Sequence, residues 1–207
     1  NYQTNSSTRY QSVGFASAHG TLVSATTANT KTGWTPLGDP TIFDFEHVVV
    51  YMLNSADAVA EFVVDIGYGT STATGFFVCM QDLRLEGHRV SEGNVAYNLP
   101  VRIPSGMQIA TRVSASVASG AVAVSLVGCS NGIRGAPGYT RCFTLGTATV
   151  SRGITTSNST SSALVETPYV VLTTSSPRQA DAFFGAIGMN ADAAKTAAMS
   201  WAIDLAW

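Results

Sequence analysis

VVVYMLNSADAVAEFVVDIGYG, residues 48–69, reads as two β-strands joined by a turn. Val48, Val50 and Met52 share one parity, and Val49, Tyr51 and Leu53 the other. A run that is apolar on both parities, here Phe43 to Leu53, predicts a strand covered on both sides. Asn54-Ser55-Ala56-Asp57 supplies the turn residues. Beyond it Phe62, Val64 and Ile66 alternate with Glu61, Val63 and Asp65, the period-2 pattern of a strand with one buried face.

The same phrase recurs. Residues 169–190 read YVVLTTSSPRQADAFFGAIGMN, and one constant shift carries Val49 onto Val170, Ser55 onto Ser176, Phe62 onto Phe183, Ile66 onto Ile187 and Gly67 onto Gly188. A fixed period means that one structural unit is used more than once. The second copy contains no counterpart of 85–128. A half-sandwich leaves sheet edges and an apolar face open, so the expectation is that residues from outside the second unit complete its sheet. Trp201 and Trp207 near the end of the sequence, with Phe183 and Phe184, are the expected interface residues, because tryptophans of this kind want burial.

Working outward, short β runs punctuated by turns fill the chain. Val101 and Ile103 alternate with Arg102. Pro104-Ser105-Gly106 turns tightly, and Ile109, Val113, Ala115 and Val117 form a returning face. That pattern predicts a hairpin, and Ser119-Gly120 predicts a second one into Val122, Val124 and Leu126. The predicted organisation is a polar arm over 1–11, a first β-sandwich unit over 12–128, a Gly/Pro linker over 129–141 and a second, truncated β unit over 142–207. The predicted class is all-β, an antiparallel, jelly-roll-like sandwich in two tandem related units.

Bulk properties narrow the function. Charged residues make up 12% of the chain and hydrophobic residues 45%, with mean hydropathy +0.19. That charge content is about half the usual share. Such a surface is covered by neighbours or kept soluble by Ser, Thr and Gly. A net charge of −2 gives no electrostatic reason to expect nucleic acid. No run of about 18 apolar residues suggests insertion into a membrane.

Chemistry-bearing patterns are sparse. His19, His47 and His88 form no metal-binding spacing. His47 beside Glu46 reads as a strand-edge pair pointing to opposite faces, and Asp44 with Glu46 as a solvated acidic edge. Asp57, Asp65 and Asp82 are candidates to meet in space. Cys79 reads as a buried apolar residue, while Cys129 and Cys142 flank the linker and could pair. No catalytic residue, cofactor or metal is expected. Trp34, Tyr68 and Tyr97, with Tyr139, are read as loop aromatics. They are the candidate contacts for a host-surface glycan, or equally anchors for a protein interface.

The segments ANTKTGWTPL (28–37), EFVVDIGYG (61–69) and LPVRIPSGMQIATRVSAS (99–116) are similar to β-sandwich repeats in structural proteins of tailed bacteriophages. The resemblance covers roughly residues 20–127, and the second unit in outline. It implies a virion location as a tail, fibre, baseplate or head-decoration component. It also implies symmetric self-association and contact with other virion proteins. It carries over no active-site residue. The principal expectation is therefore a non-enzymatic virion component that forms a homo-oligomer. The alternative is a carbohydrate-binding or host-adhesion module.

Overall fold

The computed structural model describes residues 8–15, 19–55, 60–70, 75–87, 94–130 and 139–144. The chain divides into two compact units, Asn1–Thr174 and Ser175–Trp207. The described residues belong to the first unit. Phe183, Phe184, Trp201, Trp207 and the expected second unit from 145 onward lie outside the described residues.

Among the described residues ten strands are formed: β1 Arg9–Val13, β2 Thr21–Ser24, β3 Thr35–Pro36, β4 His47–Asn54, β5 Ala60–Gly69, β6 Phe77–Gly87, β7 Asn94–Leu99, β8 Gln108–Ala115, β9 Ala121–Ser130 and β10 Cys142–Phe143. The pairing is nested. β5 pairs with β6, β4 with β7, β3 with β8 and β2 with β9, all antiparallel. Successive pairs alternate between two sheets, as if one long hairpin had been rolled up. The pairs β4–β9 and β5–β8 then close each sheet laterally. The first sheet runs β1-β9-β4-β7, with β2 following β1 along the same edge of β9; the second runs β10-β6-β5-β8-β3. This is the eight-strand, double-sheet jelly roll, so the all-β sandwich expected from the sequence is found in the described residues.

The inward parities are those the sequence marks. Val48, Val50, Met52, Phe62, Val64, Ile66, Val113, Val122, Val124 and Leu126 are buried together between the sheets. Each such side chain contributes roughly 1.5–3 kcal/mol by leaving water. Phe45 lies flat over Gly128 of β9, where a side chain of any size would strike its ring.

Three expectations are corrected. First, Arg9, Tyr10 and Gln11 are not arm; they open β1, whose carbonyls and amides pair with Gly128 to Ser130 of β9. Likewise Cys142 and Phe143, expected to begin the second unit, run parallel to Met80 and Gln81 at the edge of β6.

Second, neither predicted hairpin exists. Leu99 pairs with Val48 in the first sheet and Gln108 with Gly69 in the second, so Pro104-Ser105-Gly106 turns a corner between sheets. Gly106 takes φ +75° there, as a tight turn requires. The corner is stitched to the 41–44 segment: Thr41 Oγ1 donates to Pro104 O (2.7 Å) and accepts from Met107 N (3.1 Å), and Asp44 Oδ1 accepts from Ser105 N (2.7 Å). Ser119-Gly120 likewise carries the chain from β8 across to β9.

Third, β4 is covered on one side only. Val48, Val50, Met52 and Asn54 are buried, whereas Tyr51 on the other parity is exposed and Val49 and Leu53 are half-buried.

Candidate functional site

The one concentration of charge among the described side chains sits on the outer face of the second sheet. Asp65 stands in the apolar run of β5 and is almost wholly buried, with its side chain 2% exposed. A carboxylate in that position needs charged or hydrogen-bonding partners. Lys31 Nζ donates to Asp65 Oδ1 (2.8 Å), and Arg112 Nε of the neighbouring β8 donates to Asp65 Oδ2 (2.8 Å). The backbone N–H of Asp82 donates to Asp65 Oδ1 (2.8 Å).

Local geometry explains the third contact. Opposite Asp65, β6 carries both Gln81 and Asp82 between the paired residues Met80 and Leu83, so two residues face one. Asp82 has φ +58°. A bulge of this kind leaves an amide without a ladder partner, and the Asp65 carboxylate accepts it. Lys31 bridges onward to Asp82 Oδ1 (3.1 Å) and Val63 O (3.2 Å). Burial, the largest single influence, pushes the Asp65 pKa up. The Lys31 charge and the hydrogen bonds from Lys31, Asp82 and Arg112 together outweigh it and hold the carboxyl below its ordinary range.

Lys31 reaches this face because the 29–41 segment tracks the edge of β8. Asn29 N donates to Ala115 O, Thr32 N to Val113 O and Leu37 N to Ile109 O (2.7–2.9 Å). The same segment lays Trp34 over β5. Gly67 is the residue beneath it: a Cβ there would come within 2.8 Å of the indole Cη2. The Arg112 guanidinium stacks on Trp34 at 4.7 Å, and Phe76 packs against it at 5.4 Å. Both Asp65 oxygens are engaged, both cations are bound and the indole has two close neighbours. The cluster is a brace that ties the 29–41 segment, β5, β6 and β8 together.

Of the candidate glycan residues Trp34, Tyr68 and Tyr97, Trp34 lies in a connecting segment as expected and the other two lie in strands. Tyr68 lies in β5, directly opposite Phe77 of β6, with ring centroids 5.2 Å apart. Tyr97 lies in β7 of the other sheet, packs against the core and donates its hydroxyl to Arg84 O (2.8 Å). Trp34 sits over the outside of the second sheet. Asp65 and Asp82 do meet, through Lys31; Asp57 is outside the described residues. His47 and Asn98 hydrogen-bond side chain to side chain on the outside of the first sheet. Cys79, Cys129 and Cys142 are free thiols. Burial pushes the Cys79 pKa up to about 12 and raises those of Cys129 and Cys142. Among the described residues no three His, Cys, Asp or Glu side chains group as a metal site would need.

The sequence singles out Asp65 but not its cations. Lys31 and Arg112 are distant in sequence and ordinary in context. The available signal was a charge inside the apolar run FVVDIG, which demands a buried partner.

The outer face of the first sheet is the opposite in character. Side chains there come from β1, β2, β9, β4 and β7, and none is Asp, Glu, Lys or Arg. Tyr10, Leu22 and Tyr51 are 68%, 55% and 44% exposed on it.

No family model matches the chain, and no curated protein matches it. Among solved structures, the chain is similar to one titled "Structure of infectious bursal disease virus Gx strain", with a TM-score of 0.37 and 13% identity. The match covers 65% of this chain and 36% of that one, so the chain spans about a third of its length. A likeness at this level bears on neither family nor function.

Proposed function

We propose that the chain is a non-enzymatic structural component of a virus particle, of the tailed-bacteriophage kind that its β phrases resemble, and that it assembles as a symmetric homo-oligomer. The observation that carries this reading is the rolled eight-strand hairpin whose first sheet has an outer face that bears Tyr10, Leu22 and Tyr51 and no Asp, Glu, Lys or Arg. Jelly rolls of this wrap build viral shells, and they also house lectin and cupin sites, so the wrap alone is an argument by analogy. The exposed face adds a physical reason: a surface without charge that carries large apolar side chains is suited to contact rather than to solvent. The ring contacts of Trp34 and Tyr68 and the inward packing of Tyr97 favour assembly over glycan contact.

The test is immunolabelling. An antibody raised against the purified chain should decorate intact particles of the virus that encodes it, at symmetry-related positions. Recovery of the chain only in the particle-free fraction of infected cells would contradict the proposal. For the host-adhesion reading, a glycan array probed with the purified chain is the discriminating experiment.

A further inference from the structure

We infer that the outer face of the first sheet is the surface through which two copies of this chain meet, back to back about a two-fold axis near Tyr51. The inference deepens the proposed function and rests on its claim of self-assembly.

The register gives the face its relief. One row across the sheet is Leu22, Ala123, Leu53; the next is Ser125, Tyr51, Ala96. Tyr51 therefore rises between two small side chains. Ala96 is exposed beside it, whereas Ser125 on its other side is covered, at 3% exposure, next to Gly14 and Gly20. A raised ring beside the small, exposed Ala96 is self-complementary: in an isologous contact the ring of each copy lies over Ala96 of the other. Close to a two-fold axis a charge lies near its own symmetry mate. A face with no Asp, Glu, Lys or Arg is the kind that meets itself without that repulsion.

The area suffices. Strands about 4.8 Å apart and a rise of about 3.4 Å per residue give four strand widths along the eight residues of β4. That is about 500 Å² of flat face per copy, or about 1,000 Å² in total, the lower bound for a specific interface. The large exposed hydrophobics concentrate here as well. Three of the six among the described residues, Tyr10, Leu22 and Tyr51, are on this face.

The test uses the full chain and light scattering at micromolar concentration. Tyr51→Lys and Leu22→Lys replace side chains that are already exposed, so the fold survives, as circular dichroism would verify. Each is expected to halve the mass of the wild-type dimer or split a larger assembly. Ile42→Lys, at 76% exposure off this face, is expected to leave the mass unchanged. Mixing Tyr51→Lys with Tyr51→Glu in equal amounts should restore association that neither shows alone, because the two copies of position 51 lie side by side across the axis. Wild-type assembly that persists in both lysine variants overturns the inference and leaves self-assembly standing. A wild-type chain that is a monomer throughout overturns both.

Discussion

Asp65→Asn is the sharpest test of the brace on the second sheet. The substitution preserves shape and removes one charge. Its carbonyl can still accept from Asp82 N, but its NH₂ must then confront the Arg112 Nε–H that Asp65 Oδ2 accepts at 2.8 Å. Breaking a buried ion pair on one side costs about 3–5 kcal/mol. The lower end applies here. Lys31 keeps Asp82 Oδ1 at 3.1 Å and Val63 O at 3.2 Å, and Arg112 keeps Trp34 at 4.7 Å. The expected loss is therefore about 3 kcal/mol at neutral pH.

The pH dependence sharpens the prediction. The Asp65 pKa is lowered in the folded chain from an ordinary 3.8. A carboxyl whose pKa falls on folding stabilises the fold above its unfolded pKa, and that contribution fades as pH drops toward the folded value. The variant has no carboxyl here to protonate. The stability gap between wild type and D65N should thus be full above about pH 5 and narrow steadily toward about pH 3. Urea unfolding followed by circular dichroism across that range measures it. A gap below about 1 kcal/mol at neutral pH, which is the scale of an exposed pair, or a gap that stays constant to pH 3, would refute the buried-brace reasoning.

Further outcomes follow from the packing. Gly128→Ala places a methyl group into the ring of Phe45 and should cost about 1–3 kcal/mol in urea unfolding, as overpacked cores do; a neutral result would mean that Phe45 does not lie on β9. Gly67→Ala should displace the Trp34 indole from β5 and weaken its contact with Arg112, so Trp34 should become more accessible to a fluorescence quencher, judged against a Trp34→Phe background. Cys79, buried and with its pKa at about 12, should resist an aromatic disulfide reagent at about pH 8 until the chain unfolds, while the half-exposed Cys129 and Cys142 react slowly.

Much of this fold is legible along the chain. Val48, Val50, Met52, Phe62, Val64, Ile66, Val101 and Ile103 are read as inward, and they are buried. The Pro104-Ser105-Gly106 turn is read from its residues, and Gly106 takes the required φ. Pairing is not legible. Alternation names the face a residue occupies, not the strand it lies beside, and turn residues that close a hairpin serve equally to turn a corner between sheets. So Leu99 and Ile109 look like hairpin partners when they belong to different sheets. The outer parity of β4 misleads for a related reason: Val49, Tyr51 and Leu53 signal cover, but within the described chain the Tyr51 ring remains exposed. Polar Arg9 to Gln11 escape notice because an edge strand needs little apolar character. For the charge cluster, one carboxylate is visible in its apolar run, but its cations come from segments whose approach only the rolled topology determines.

The most direct measurement of the central claim is the solution mass of the purified chain by sedimentation equilibrium across micromolar concentrations. Self-assembly through the charge-free face predicts a mass that is a whole multiple of the 21.6 kDa protomer. A mass of 21.6 kDa at every concentration would contradict it.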